Sequence, residues 1–263
     1  MRNTIFSIQE LKKANKPITC LTAYSYDIAR IIDEFVDVIL VGDSLASVLY
    51  GRSSTTDISL DEIIAHAKAV VKASHNALVV VDMPFNTYRS SKEQAYKNAA
   101  TILQKTGANA VKLEGGVEIA ETVLFLTKNH IPVMGHIGLM PQSEQFFGGF
   151  KVQGKNSVQQ KSILNDAIAL EKSGVWAVVI ECVKESIAVQ VTKKLKIPTI
   201  GIGASEKCGG QILVTEDMLG LTSRPPKFVK TYLNLENLIK KELAEYKREV
   251  QQRKFPSKAN KYE

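Results

Sequence analysis

The chain has 263 residues, 44% of them hydrophobic and 23% charged; that mix excludes a disordered, collagenous or low-complexity protein. The net charge of +7 sits mostly at the end: from Lys227 onward ten Lys/Arg stand against five Asp/Glu, so the tail carries +5 and the rest +2. No window approaches the roughly 20 apolar residues of a membrane span, so no membrane partner is expected.

In chain order, the charged stretch MRNTIFSIQELKKANK lacks the apolar core of a signal peptide and precedes a first strand at Ile18–Leu21. A second, Val38–Val41, runs into Gly42-Asp43-Ser44. Ser59-Leu-Asp-Glu62 spells a capping box that opens a helix over Leu60–Ala73. Leu78–Val81 is a third strand, with Asp82 next. Ser91-Lys-Glu-Gln94 spells a second box, for a helix ending near Gly107. Further strands fall at Ala110–Leu113, Val133–Gly135, Ala177–Ile180, Thr199–Gly201 and Ile212–Val214. Most are unbroken apolar runs, as parallel strands buried on both faces read. Leu233–Gln252 reads as an extra helix with a frayed basic end. Its apolar face, Leu233, Leu235, Leu238, Ile239 and Leu243, predicts packing on the barrel or on another subunit, and a homo-oligomer.

Eight strand–helix units predict an α/β fold, a (βα)8 TIM barrel with an additional C-terminal helix. A doubly wound open sheet is the alternative. The expected organisation is one barrel domain over 1–263, with a basic helical extension from about 227. Cys20, Cys182 and Cys208 are odd in number and widely spaced, which points to a reduced, cytoplasmic protein. The basic tail lacks zinc-finger, RNA-binding or basic-zipper patterning, so no nucleic-acid partner is expected.

The polar residues of interest follow the strands. Asp43 and Ser44 follow the second and Asp82 the third. Lys112 and Glu114 close the fourth, His136 follows the fifth and Glu181 the sixth. In a (βα)8 barrel these positions meet on the rim where active sites sit. Each has a plainer reading: Asp43 as a cap, Asp82 as a turn former, Lys112–Glu114 as an ion pair, His136 as a hydrogen-bonded structural histidine, Glu181 as a cap. Those readings are local, and none predicts a common rim. His66, His75 and His130 read as structural or exposed.

Asp43, Asp82 and Glu114 are hard carboxylate donors, which favour Mg2+ over zinc. Three carboxylates balance one Mg2+ and Lys112, leaving a neutral pocket for an anionic, chelating substrate. Gly201-Ile-Gly203 is too short for a dinucleotide fingerprint. Gly209-Gly210 reads as a tight turn between strands, and Lys151–Lys155 as a basic loop.

Together the motifs resemble the ketopantoate (3-methyl-2-oxobutanoate) hydroxymethyltransferase family. The carriers are Val41-Gly-Asp-Ser-Leu45, Asp82-Met-Pro-Phe85, Val111-Lys-Leu-Glu-Gly-Gly116, Pro132-Val-Met-Gly-His-Ile-Gly-Leu139, Gly154, Val179-Ile-Glu-Cys182, Gly201-Ile-Gly-Ala204 and Gly210-Gln-Ile-Leu-Val214. Their order and spacing, rather than any one of them, are specific. The resemblance implies a barrel enzyme that moves a one-carbon unit from the co-substrate 5,10-methylenetetrahydrofolate to 3-methyl-2-oxobutanoate, giving 2-dehydropantoate for pantothenate and coenzyme A. It implies Asp43, Asp82 and Glu114 around Mg2+. Asp43, Ser44, Asp82 and Lys112 would bind the oxoacid, and Glu181 would be the base. It also implies a homodecamer. The chain departs from the family pattern at Ala46-Ser47, Ser205 and Gly209, none of them an implied ligand or base.

Two rivals remain. One is another Mg2+-dependent enolate enzyme, such as a carbon–carbon lyase or phosphoenolpyruvate mutase, which would need no folate. The other is a non-catalytic RNA- or membrane-surface protein using the basic tail.

Overall fold

A computed structural model describes residues 2–143 and 151–262. Met1–Val214 and Thr215–Glu263 are two compact units. In the first, eight parallel strands close in chain order into a barrel. They are β1 (Ile18–Thr22), β2 (Val38–Val41), β3 (Leu78–Asp82), β4 (Ala110–Glu114), β5 (Val133–Gly138), β6 (Ala177–Glu181), β7 (Thr199–Ile202) and β8 (Gly210–Leu213). The open sheet is thereby excluded.

All eight expected strands are present, and their ends differ instructively. Asp82, Glu114, His136 and Glu181 are members of their strands rather than followers. The last strand starts earlier than expected, because Gly210 is not a turn residue. It pairs with Ile18, and a Cβ on it would stand 2.4 Å from the Ile18 carbonyl oxygen. Glycine there lets β8 close on β1.

Among the described residues, the α-helices of this unit are α1 (Ile5–Lys13), α2 (Tyr26–Ile32), α3 (Leu45–Val48), α4 (Leu60–Ala73), α5 (Lys92–Thr106), α6 (Ala120–Lys128), α7 (Ser157–Lys172) and α8 (Glu185–Lys194). At α4 the Ser59 side chain accepts from the Glu62 N–H and Glu62 returns to Ser59, the full capping box. At α5 only half of the box forms. Ser91 accepts from the Gln94 N–H, but the Gln94 side chain takes the N–H of Ser90 at 3.3 Å. Gly107 ends that helix in the left-handed region, with φ 73°.

Period-two alternation sorts the strands into two cores. Ile39, Val41, Val79, Val81, Val111, Leu113, Val178 and Ile180 point outward and join buried residues of the helices. Ile18, Cys20, Val38, Leu40, Leu78, Val80, Ala110, Met134, Ala177, Val179, Ile200 and Ile212 form a separate inner cluster, joined by Ile8 of α1. The inner parity matters for function. Continued toward the C-terminal ends, positions 78 and 80 lead to Asp82, 110 to Lys112 and Glu114, 134 to His136, and 177 and 179 to Glu181. The barrel interior is therefore apolar below and ionic at its upper rim, where barrel active sites lie.

The second unit contains α9 (Thr215–Leu219) and α10 (Leu235–Gln251). The main-chain N–H of Tyr232 donates to the Met218 carbonyl at 2.8 Å. No residue of α10 is buried, and Leu238, Ile239, Leu243, Tyr246 and Val250 are exposed. Among the described residues, no helix is long and apolar enough to cross a membrane.

Candidate active site

Five strands deliver polar side chains to one buried cluster. Asp43 follows β2, Asp82 ends β3, Lys112 and Glu114 lie on β4, His136 on β5 and Glu181 ends β6. The first five are at most 4% exposed, and the Glu181 side chain is 14% exposed. Asp43 is therefore not a surface cap; Ser44, at the head of α3, bonds through its hydroxyl to the Tyr24 hydroxyl at 2.8 Å.

Lys112 is the hub. Its Nζ lies 2.8 Å from Asp82 Oδ1, an ion-pair contact off the direction of a hydrogen bond. It also lies 3.1 Å from His136 Nδ1. An ammonium can only donate, so Nδ1 accepts and the ring proton belongs on Nε2. That atom faces Glu181 Oε2 at 3.3 Å, again without hydrogen-bond alignment. Glu114 Oε1 stands 3.5 Å from His136 Nδ1. The Asp43 main-chain N–H donates to Asp82 Oδ2 at 3.0 Å. A Cβ on Gly42 would stand 2.8 Å from the Ser44 Oγ and 3.4 Å from Asp82 Oδ2, so glycine allows this tight corner.

The electrostatics follow from burial and crowding. Burial, then the neighbouring Asp82 carboxylate, pushes the Asp43 carboxyl up to about 7. Burial, then Asp43, raises Glu114 well above the usual carboxylate range. Burial works against the Lys112 ammonium, but Asp82, Glu114 and Asp43 outweigh it and hold the lysine charged above its ordinary range. Burial and then Lys112 keep the His136 ring neutral. Cys182, just after Glu181, is pushed up to about 12 by burial and by that carboxylate, which removes thiolate chemistry from the rim.

Three buried carboxyls, Asp43, Asp82 and Glu114, thus surround one lysine, and Glu181 stands beside His136. As placed, no three His, Cys, Asp or Glu side chains among the described residues enclose an ion. The donor chemistry nonetheless fits a hard divalent cation. Asp43, Asp82 and Glu114 supply only oxygen, and these three buried carboxyls have the single Lys112 ammonium as counter-charge.

The rim also contains residues that the sequence did not single out. Gln142, in the turn Pro141–Ser143 after β5, is buried and reaches Asp43 at 2.8 Å. Tyr88 donates to the Gln142 side chain at 2.6 Å. No local pattern marks a glutamine in a loop as a site residue; only its contacts across the barrel do. His136, read as structural when taken alone, stands at the centre of the cluster. His66 is structural: its ring bonds the Tyr24 carbonyl and the Tyr50 hydroxyl. His75 and His130 are exposed. In the Lys151–Lys155 loop, Gln153 bridges to Val183 beside the end of β6. The departures at Ser205 and Gly209 lie in the β7–β8 turn, where the Gly209 N–H donates to the Thr199 hydroxyl at 3.1 Å and the Ser205 carbonyl accepts from Gln211 at 2.8 Å. A separate cleft of about 320 Å3 opens by Gly116, Gly138, Gln159 and Asp166, and none of the buried ionic residues lines it.

Comparison with known proteins places this geometry. The family model described as ketopantoate hydroxymethyltransferase matches residues 2–258. A protein of Anaplasma marginale (strain St. Maries), named 3-methyl-2-oxobutanoate hydroxymethyltransferase, is 53% identical over 94% of this chain and 89% of its own. One of the same name from Bartonella tribocorum is 50% identical over 95% of this chain and 93% of its own. Among solved structures, phosphonopyruvate hydrolase superposes with a TM-score of 0.66 at 12% identity, covering 100% of this chain and 92% of that one. The 2,3-dimethylmalate lyase of the PEP mutase/isocitrate lyase superfamily gives 0.59 at 13% identity, covering 98% of this chain and 90% of that one. At such identities these two speak for the barrel alone. The match along nearly the whole length, with half of the residues identical in its relatives, makes this chain a member of the ketopantoate hydroxymethyltransferase family.

Proposed function

We propose that this chain is a 3-methyl-2-oxobutanoate hydroxymethyltransferase, moving a one-carbon unit from 5,10-methylenetetrahydrofolate to 3-methyl-2-oxobutanoate to give 2-dehydropantoate for pantothenate and coenzyme A. The observation that carries the reading is the buried cluster of Asp43, Asp82 and Glu114 around Lys112 on the barrel rim, with the partly exposed Glu181 beside His136. Its natural complement is a divalent cation with a small anionic oxoacid. Asp43, Asp82 and Glu114 are the residues that would hold Mg2+, directly or through water. The metal would supply Lewis-acid polarisation of the keto group.

The chain's own groups then have distinct tasks. Asp43, Ser44, Asp82 and Lys112 bind and orient the oxoacid. The Lys112 ammonium, held charged by its carboxylates, stabilises the negative oxygen of the enolate. A charged ammonium is no nucleophile, which disfavours a Schiff-base route. Glu181 takes the C3 proton, and the neutral His136 ring stands beside it, with Nε2 3.3 Å from Glu181 Oε2. The enolate carbon then bonds to the one-carbon unit carried by folate; both bonds from that carbon to folate nitrogen break, water supplies the hydroxyl oxygen, and tetrahydrofolate leaves. Three unpaired thiols fit a reducing, cytoplasmic setting.

The deciding experiment is a turnover assay with the oxoacid, methylenetetrahydrofolate and Mg2+, each omitted in turn. Formation of 2-dehydropantoate only in the complete mixture is the expected result. Oxoacid turnover without folate would move the assignment to an enolate lyase or mutase on the same barrel.

A further inference from the structure

Gln142 makes more connections within the site than its place in a loop suggests. It is 3% exposed, and the orientation of its amide follows from chemistry. One end of the amide faces the Met83 carbonyl at 3.0 Å and Asp43 Oδ2 at 2.8 Å. A carbonyl and a carboxylate can only accept, so this end is the NH2. The other end must be the oxygen, and it accepts the Tyr88 hydroxyl at 2.6 Å. The main-chain N–H of Gln142 donates to Glu114 Oε2 at 3.1 Å.

One residue therefore holds one oxygen of each of two carboxyls, which reach it from β2 and β4 across sequence separations of 99 and 28. The Asp43 and Glu114 carboxyls lose rotational freedom, and their other oxygens remain for the interior. Glu114 Oε1, for example, turns toward His136. Tyr88 is in turn tied to β4, since its hydroxyl accepts from the Glu114 N–H at 3.3 Å. We infer that Gln142 is a positioning residue for the cation site: its side-chain and main-chain N–H groups jointly aim Asp43 and Glu114, and its amide, oriented by Tyr88, sets divalent-cation affinity. This rests on the cation reading proposed above.

The test is calorimetric titration of the full-length protein with Mg2+, without turnover and well below each variant's unfolding midpoint. Gln142→Met keeps the volume and the main-chain N–H but removes the donor to Asp43. Residues that orient ligands this way typically contribute about 10–100-fold in metal affinity, and a loss of that size is expected. Tyr88→Phe should weaken binding in the same direction but less, because it acts through the amide. Gln142→Asn, which retains a donor, should recover part of the loss. If Gln142 were only a plug in the loop, Gln142→Met and Tyr88→Phe would lower the melting temperature and leave Mg2+ affinity at the wild-type value. That result overturns the inference while leaving the cation reading intact. A wild-type protein that binds no Mg2+, alone or with the oxoacid, overturns the cation reading and this inference with it.

Discussion

At the scale of single residues, the site is a problem of placing charge in a barrel interior. An isolated buried carboxylate is costly, and Asp43 and Glu114 respond by holding protons more tightly than usual. A cation that replaces those protons gains where the carboxylates gain. Asp43→Ala or Asp82→Ala should therefore weaken Mg2+ and oxoacid binding together; wild-type Mg2+-dependent turnover in either variant would remove that residue from the chelate. Glu181 has a separable task. Glu181→Gln keeps the shape but lacks the basic oxygen, so Mg2+ and oxoacid should still bind. Exchange of the oxoacid C3 proton with deuterated water, followed by NMR without folate, should fall about 10²–10⁴-fold. Exchange at the wild-type rate would transfer the role of base to another rim group, His136 first.

At the scale of elements, α4 shows how local sequence and long-range contact combine. Its capping box is local, and replacing Ser59 with Ala should cost about 1 kcal/mol. Arg52, from outside the helix, adds an ion pair to the same Glu62. The Arg52 hydrogen bond, then those from Ser59, draws the Glu62 carboxyl down to about 2 from 4.5. A carboxyl held lower in the folded state stabilises it above its unfolded value and loses that contribution as pH falls through the folded one. Glu62→Gln should thus lower the urea midpoint near neutral pH, and the deficit should shrink as pH falls from about 4.5 toward 2. A deficit that stays constant with pH would assign the effect to packing. At α5, the partial box shows a limit of motif reading: the spacing of Ser91 and Gln94 suits reciprocal bonds, but the Ser90 N–H captured the glutamine instead.

At the scale of the whole molecule, charge and apolar surface are distributed unevenly. The terminal segment carries +5 of the net +7, yet α10 also exposes Leu238, Ile239, Leu243 and Tyr246 along its length. A nucleic-acid tail has no use for that apolar face, whereas a subunit interface does. We therefore expect a homo-oligomer, with the decamer as the specific expectation. Light scattering at micromolar concentration should report a mass several times the 29.0 kDa of one chain. A clean monomer under those conditions would contradict it.

What the sequence determined by itself is what local pattern encodes. Unbroken β-branched runs separated by capped helices specify eight parallel strands, because strands covered on both faces have no polar side to show. The rim residues Asp43, Asp82, Lys112, Glu114 and Glu181 were legible for the same reason: each interrupts or ends an apolar run at the strand's C-terminal end. Tertiary structure decided what depends on distant groups meeting. His136 became central only when β4 and β6 set Lys112 and Glu181 on either side of its ring. Gly210 changed from turn to strand residue only when β8 met the Ile18 carbonyl of β1. Gln142 carried no signal at all, because its partners Asp43, Tyr88 and Glu114 lie up to 99 residues away and approach it only through barrel closure. Periodicity records the environment of a backbone segment; a hydrogen bond between loops of different strands leaves no periodic trace.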